Sequence, residues 1–312
     1  MRSAVVAGPG NLAVVDVPRP VVGDYDALCE LLWGATCSGT DRHIIDGNFP
    51  WTSPLPTILG HESVGRVVAI GARVRNLRLG DVITRVGTPP VAGYSTTWGG
   101  FAEWGIAKDH WAMAADGLPE AQWNAYRVNQ VLPTSIDPRV GPMFITWRET
   151  YSYLKRTGID GRSRVLIAGS GGNGLAFAAH AVNLGCVEVA MVGSASRRDL
   201  ATRRLGVHAY HDHRQVDLTA VLGEAHRDGF DLIIDAVGRS GLAERLLPRL
   251  RPQGAYAIYG LDDIANFAIN PLCAPHPFTL RGGGDYNEAE AHHAICDLVQ
   301  RGRLDASAWY DP

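Results

Sequence analysis

A chain of 312 residues is longer than one hydrophobic core commonly fills and suits two domains. Hydrophobic residues make up 46% of it and charged residues 20%, an ordinary globular composition that excludes a disordered or low-complexity chain. The formal net charge of −3 gives no footing for a nucleic-acid or membrane-surface partner.

The cysteines are Cys29, Cys37, Cys186, Cys273 and Cys296, an odd number with no C-x-x-C pair. That pattern argues against a disulfide framework and for a reducing compartment. The start, Met1 to Val6, runs into a strand-like segment without an apolar signal region, and no stretch reaches ~18 uninterrupted apolar residues. The expected location is the cytoplasm, with no membrane contact.

Over the first 140 or so residues the chain reads as short strands between glycine, proline and aspartate. Ala13–Val17, Ala27–Leu32 and Val64–Ile70 are examples, with a turn at Leu79-Gly80-Asp81. Such punctuation suits an irregular all-β barrel. From about Phe144 the order becomes strand, glycine turn, long helix, strand, which implies βαβ units and a parallel sheet.

The next strand, Arg164–Ala168, is a short apolar run followed by Gly169-Ser170-Gly171-Gly172-Asn173-Gly174 and a helical stretch from Leu175 to Leu184. A G-x-G-x-x-G between strand and helix is the dinucleotide fingerprint. Gly169 permits the tight turn, Gly171 lets the backbone approach a pyrophosphate, and Gly174 lets the helix pack closely. The helix start then offers unpaired N–H groups to the phosphates.

A second strand covers Val187–Val192. An NAD site would place an acid after it for the ribose hydroxyls, and this chain has Gly193-Ser194 and then Arg197 and Arg198. Without the carboxylate a 2′-phosphate is not repelled, and an arginine can pair with it. NADP(H) is therefore expected over NAD(H). Phe230–Asp235 and Gly254–Gly260 read as later strands, with turns at Val237 and Gly260 on the ligand-facing edge.

Two clusters in the first region, Cys37-Ser38-Gly39-Thr40-Asp41-Arg42-His43 and Leu59-Gly60-His61-Glu62, stand about a hundred residues before that fingerprint. Together the three motifs resemble the medium-chain dehydrogenase/reductase family of alcohol, sorbitol and glucose dehydrogenases. The resemblance implies an α/β fold with a GroES-like irregular β-barrel catalytic domain at 1–145. A Rossmann NADP-binding domain, a doubly wound parallel sheet, would occupy 146–283. Residues 284–312 would return towards the catalytic domain. It also implies a small-molecule substrate and a homo-oligomer, dimer or tetramer. NADP-dependent members carry Gly-Ser after the second strand, matching Gly193-Ser194, and a tyrosine matching Tyr210. Members also continue further than Asp311-Pro312, so the expectation is either a pared-down site or a barrel closed differently.

Zinc-using members bind the metal through a cysteine before the x-[Ser/Thr]-Asp segment, with the histidine and glutamate of G-H-E at or beside it. Here alignment on Gly39-Thr40-Asp41 puts Ser38 in the cysteine's place, and Thr146 stands where some members have a further ligand. Serine is a poor zinc ligand beside a thiolate. The alignment favours a site without catalytic zinc, in which Cys37 is a small buried thiol. A one-residue shift restores the set Cys37, His61 and Glu62, with Glu149 as a fourth, and both alternatives stay open. The cysteine-rich structural zinc lobe is absent, since Val82–Met113 contains no cysteine.

Thr40 and His43 match the family's proton relay, which hydride chemistry needs because the oxygen must gain or lose a proton. His61 and Glu62 complete the catalytic set, with His61 a neutral hydrogen-bond donor or the general acid. Trp51, Arg85 and Trp147 are expected at the substrate by position. The expected reaction interconverts an alcohol and a ketone or aldehyde. The Cys37–His43 and Gly47-Asn48-Phe49-Pro50 segments lean towards a sugar- or cyclitol-like substrate. The other readings are a zinc alcohol dehydrogenase and a non-catalytic NADP(H)-binding protein.

Overall fold

The computed structural model describes residues 1–37, 39–51, 53–284 and 286–310. The chain divides into two compact units. One comprises Met1–Arg148 with Glu288–Gly302, the other Glu149–Asn287 with the described residues from Arg303 on. The stretch after residue 283 is thus shared between the units.

The first unit holds strands β1 (Arg2–Gly8), β2 (Asn11–Asp16) and β3 (Asp26–Ala35), helix α1 (Thr40–Ile45), and strands β4 (Thr57–Ile58), β5 (Glu62–Ile70), β6 (Val82–Thr84), β7 (Ser95–Thr96) and β8 (Trp104–Lys108), then helix α2 (His110–Ala115). They form two four-stranded sheets, ordered β2-β1-β4-β7 and β6-β5-β3-β8. Alternate residues of the central strands of the second sheet, Ala27 and Cys29, bury against Val67, Leu77, Ile83, Val86 and Ala107. Gly65 allows β5 to lie against β3, because a Cβ there would sit 2.8 Å from the Cys29 Cβ.

Helix α3 (Met143–Arg156) begins in this unit, and its Arg148 is fully buried, donating at 2.7 Å to Glu288, whose other oxygen takes Arg85. Two arginines on one buried carboxylate tie distant parts of the chain to the sheets.

In the second unit the strands are β9 (Arg164–Ala168), β10 (Glu188–Gly193), β11 (Ala209–Asp212), β12 (Phe230–Asp235), β13 (Leu250–Ile258) and β14 (Thr279–Arg281). The helices are α4 (Gly172–Asn183), α5 (Leu218–Ala225) and α6 (Leu242–Leu246); α7 (Glu288–Gln300) returns to the first unit. The sheet order is β11-β10-β9-β12-β13-β14, every pair parallel. Counted from its own first strand this is 3-2-1-4-5-6, the doubly wound dinucleotide-binding order.

Alternation along β9 explains the double layer. Val165 and Ile167 enter the core shared with Phe177 and Ala181 of α4, whereas Leu166 and Ala168 enter the core shared with Leu218 and Leu222 of α5. The run that reads as continuously apolar is a strand covered on both faces. Among the described residues no helix is long and apolar enough to cross a membrane.

Replacing Arg148 with alanine leaves Glu288 buried with one cationic partner fewer. Breaking such a pair costs about 3–5 kcal/mol, and chemical denaturation of Arg148→Ala is expected to show a loss of that order. A variant as stable as the parent would remove the triad from the account of this unit.

Candidate functional site

Thr40 opens α1 and His43 follows one turn later, so both lie on one side of the helix. Asp41, buried between them in sequence, accepts the Cys37 backbone N–H at 2.9 Å and turns its other oxygen to His61 Nδ1 at 3.4 Å. Cys37 is half-buried and donates its thiol to Thr40 Oγ1 at 3.6 Å. It is therefore a member of the polar cluster and not the inert core thiol expected from sequence. Ser38, the residue in the family's ligand position, lies outside the described residues.

His61 is buried, and burial alone would depress its pKa. The Asp41 carboxylate and Cys37, with the charge of Glu62, outweigh that effect and lift it to about 10. Glu62 is also buried and accepts a hydrogen bond from the Thr146 hydroxyl. The threonine found in place of a ligand is instead a donor to the neighbouring acid.

Around His61 the wall is aromatic. Trp98 lies with its ring centroid 5.1 Å from that of His61, Phe49 touches Trp98 at 6.0 Å, and exposed Trp51 meets Phe49 edge-on at 5.3 Å. The Arg85 guanidinium stands 5.8 Å from the Trp98 ring. Arg85 and Trp98 both have left-handed backbones, φ 55° and 65°, a conformation that costs non-glycine residues about 1–3 kcal/mol each. Such strain collects where a site fixes its side chains.

Trp147 is a correction. It is completely buried, 6.0 Å from Phe144, and belongs to the core of the unit. Its sequence position could not distinguish the inward face of α3 from a pocket wall. Asp41 and Trp98 are the residues sequence reading missed. Asp41 was visible as an acid inside a motif, but the turn that carries Trp98 left no pattern.

Among the described residues no three His, Cys, Asp or Glu side chains gather into a group that could hold a metal. Zinc in this family's chemistry needs three protein ligands. Here His61 faces Asp41, Glu62 takes Thr146, and Glu149 accepts from the Tyr259 hydroxyl at 3.1 Å.

In the second unit the fingerprint lies between β9 and α4. Gly169 has φ 110°, and a Cβ on Gly174 would lie 2.1 Å from the Gly169 carbonyl oxygen, so the helix start abuts the turn. A Cβ on Gly171 would meet nothing within 4 Å, which leaves open space over the backbone where a pyrophosphate can lie. Gly172 and Asn173 form the first turn of α4, and Trp309 donates to the Gly172 carbonyl at 3.0 Å.

At the end of β10, a Cβ on Gly193 would lie 2.4 Å from Ser170 Cβ and 2.5 Å from the Tyr210 hydroxyl. Ser194 N–H donates to Ser170 Oγ at 3.0 Å, and the Tyr210 hydroxyl donates to the Ser194 carbonyl at 2.6 Å. Arg197 ends a short 3₁₀ turn, and exposed Arg198 stands over the Tyr210 ring at 5.4 Å. Val237 and Gly260 follow β12 and β13, and Val237 Cγ2 is 3.1 Å from where a Gly169 Cβ would be.

Residues 23–117 match the alcohol dehydrogenase GroES-like domain, and residues 172–283 match the zinc-binding dehydrogenase family. The L-threonine 3-dehydrogenase of Anaeromyxobacter sp. (strain K) is 30% identical over 256 residues, 79% of this chain and 72% of that protein. A Mycobacterium tuberculosis protein named as a zinc-binding alcohol dehydrogenase is 26% identical across 98% of this chain and 80% of its own length. A Sinorhizobium meliloti 1021 protein described as a zinc-binding dehydrogenase, solved bound to NADP, is similar with a TM-score of 0.78. It is 25% identical, covering 97% of this chain and 89% of that one. The chain belongs to the medium-chain dehydrogenase/reductase family, with a GroES-like and a Rossmann domain, and is an oxidoreductase of the alcohol dehydrogenase type.

The two glycines make opposite predictions. Gly171→Val fills the open space beside the backbone and is expected to abolish dinucleotide binding in a protein that melts like the parent. Gly174→Val collides with the Gly169 carbonyl and is expected to lower the melting temperature itself. Calorimetry with and without cofactor separates them; a Gly171→Val protein that binds normally would displace the site.

Proposed function

We propose that this protein interconverts an alcohol and a ketone or aldehyde with NADP(H), on a polyhydroxylated small molecule, without catalytic zinc. The observation that carries the cofactor is the end of β10. Gly193 is too crowded for any side chain, no acid follows it, and Arg197 and Arg198 stand beside Ser194 and Tyr210. The NADP in the similar Sinorhizobium meliloti structure supports the same reading. The residues of the fingerprint would hold the pyrophosphate, with Val237 and Gly260 at the nicotinamide side. Hydride chemistry belongs to the bound nicotinamide.

What remains for the protein is the proton at oxygen. His61 faces Asp41, and Thr40 lies in the same cluster through Cys37, so His61 and Thr40 can both hydrogen-bond a carbonyl or alkoxide oxygen. His43, a turn along α1, passes the proton on. Glu62 is held by Thr146 and adds negative charge near His61. Arg85 and Trp51 border the substrate. The sugar- or cyclitol-like substrate rests on the Cys37–His43 and Gly47–Pro50 segments. The family resemblance supports a homo-oligomer, and the odd, unpaired cysteines support a reducing, cytoplasmic location.

The zinc-dependent reading is favoured by the names of the matched family and relatives. Metal analysis decides. The purified protein is expected to carry well under one zinc per chain and to keep its activity under chelation. Stoichiometric zinc, lost with activity in Cys37→Ala, would establish the metal mechanism instead.

Removing one positioned donor to a developing oxyanion costs about 2.7–4 kcal/mol, so Thr40→Ala should slow turnover by about two to three orders of magnitude. Arg198→Ala should weaken NADPH about ten-fold through loss of one charge-assisted pair and leave NADH unchanged. NADPH oxidation over a panel of keto-sugars and simple ketones tests the reaction; no turnover with any of them would leave a binding protein.

A further inference from the structure

One buried acid in the second unit has no part in the chemistry above. Asp235, the last residue of β12, is fully buried. Its Oδ1 accepts the backbone N–H groups of Val237 at 2.9 Å and Gly238 at 2.8 Å. Its Oδ2 accepts the hydroxyl of Tyr256, also fully buried, at 2.9 Å. Its own carbonyl accepts the N–H groups of Tyr259 at 2.8 Å and Gly260 at 2.9 Å. A single residue therefore fastens the turn after β12 and the turn after β13.

The two turns are in backbone contact. A Cβ on Gly238 would sit 2.1 Å from the Gly260 carbonyl oxygen, and one on Gly260 would sit 2.1 Å from the Val237 carbonyl carbon. Asp262 N–H donates to the Val237 carbonyl at 3.0 Å, and Asp263 N–H to that of Gly238 at 2.8 Å. On the other side Ala236 N–H donates to the Ala168 carbonyl at 2.8 Å, one residue before the fingerprint turn. The turns at Gly169, Val237 and Gly260 thus form one backbone-packed assembly with the Asp235 carboxylate inside it.

Burial pushes the Asp235 carboxyl upward, against the pull of its three donors. A carboxylate in such a place is costly unless its lone pairs are used. Its yield is rigid geometry at turns that face the cofactor in the reading above.

We infer that Asp235, locked by Tyr256, is a positioning residue for the cofactor: it presets the Val237–Gly238 and Tyr259–Gly260 turns that receive the dinucleotide. This rests on the proposed NADP(H) site. Disordered turns must be ordered on binding, and that cost lowers affinity without any lost contact.

The test is NADPH affinity per folded molecule, by calorimetry with the folded fraction fixed by circular dichroism. Asp235→Asn keeps an oxygen for the two N–H groups and an amide for the Tyr256 oxygen, so its dissociation constant should stay within about three-fold of the parent's. Asp235→Ala should weaken NADPH by about ten-fold or more. If Asp235→Ala does not fold, Tyr256→Phe carries the test, with an expected weakening of about three- to ten-fold at full folding. A folded Asp235→Ala or Tyr256→Phe with the parent's affinity would overturn the inference and leave a purely structural acid. A parent protein that binds no NADPH would instead overturn the cofactor reading, a different and distinguishable failure.

Discussion

The second unit depends on how closely main chain can approach main chain at the carboxyl ends of β9 and β12. Gly174 against the Gly169 carbonyl, and Gly238 against that of Gly260, are contacts no side chain could enter. They bring the start of α4 over the sheet and leave Gly171 facing open space. Bare backbone N–H groups beside empty volume make an anion site without any cationic side chain. Charge is added at the rim, where Arg198 stands over Tyr210. Crowding at Gly193 has a second effect, since it keeps a ribose-binding acid out of that position as firmly as any selection on charge could.

In the first unit the corresponding constraint is a pair, Asp41 and His61. Burial opposes a charged imidazole, and only Asp41, Cys37 and the charge of Glu62 together outweigh it. Beside that pair Glu62 accepts a hydrogen bond from Thr146.

The doubly wound sheet was legible because its signals are local. Arg164–Ala168 and Phe230–Asp235 were read to the residue, as continuous apolar runs must be strands covered on both faces. Gly169, Gly171 and Gly174 each have the environment their spacing predicts. The second strand was read one residue early, because Val187 is apolar yet more than half exposed. Trp147 is fully buried beside Phe144, and sequence position alone does not say which face of a helix a residue takes. Trp98 and Asp235 were not legible as site residues. One depends on a left-handed turn, the other on hydrogen bonds to main chain that no side-chain pattern encodes.

The central claim is that the β10 edge is built for a 2′-phosphate, and titrating the unaltered protein with NADPH and NADH side by side by calorimetry tests it most directly. One charge-assisted pair to the phosphate is worth about 1.5–3 kcal/mol, so NADPH is expected to bind at least about ten-fold more tightly, with the gap narrowing as salt is raised. Equal affinities at low salt, or tighter NADH, would contradict the account.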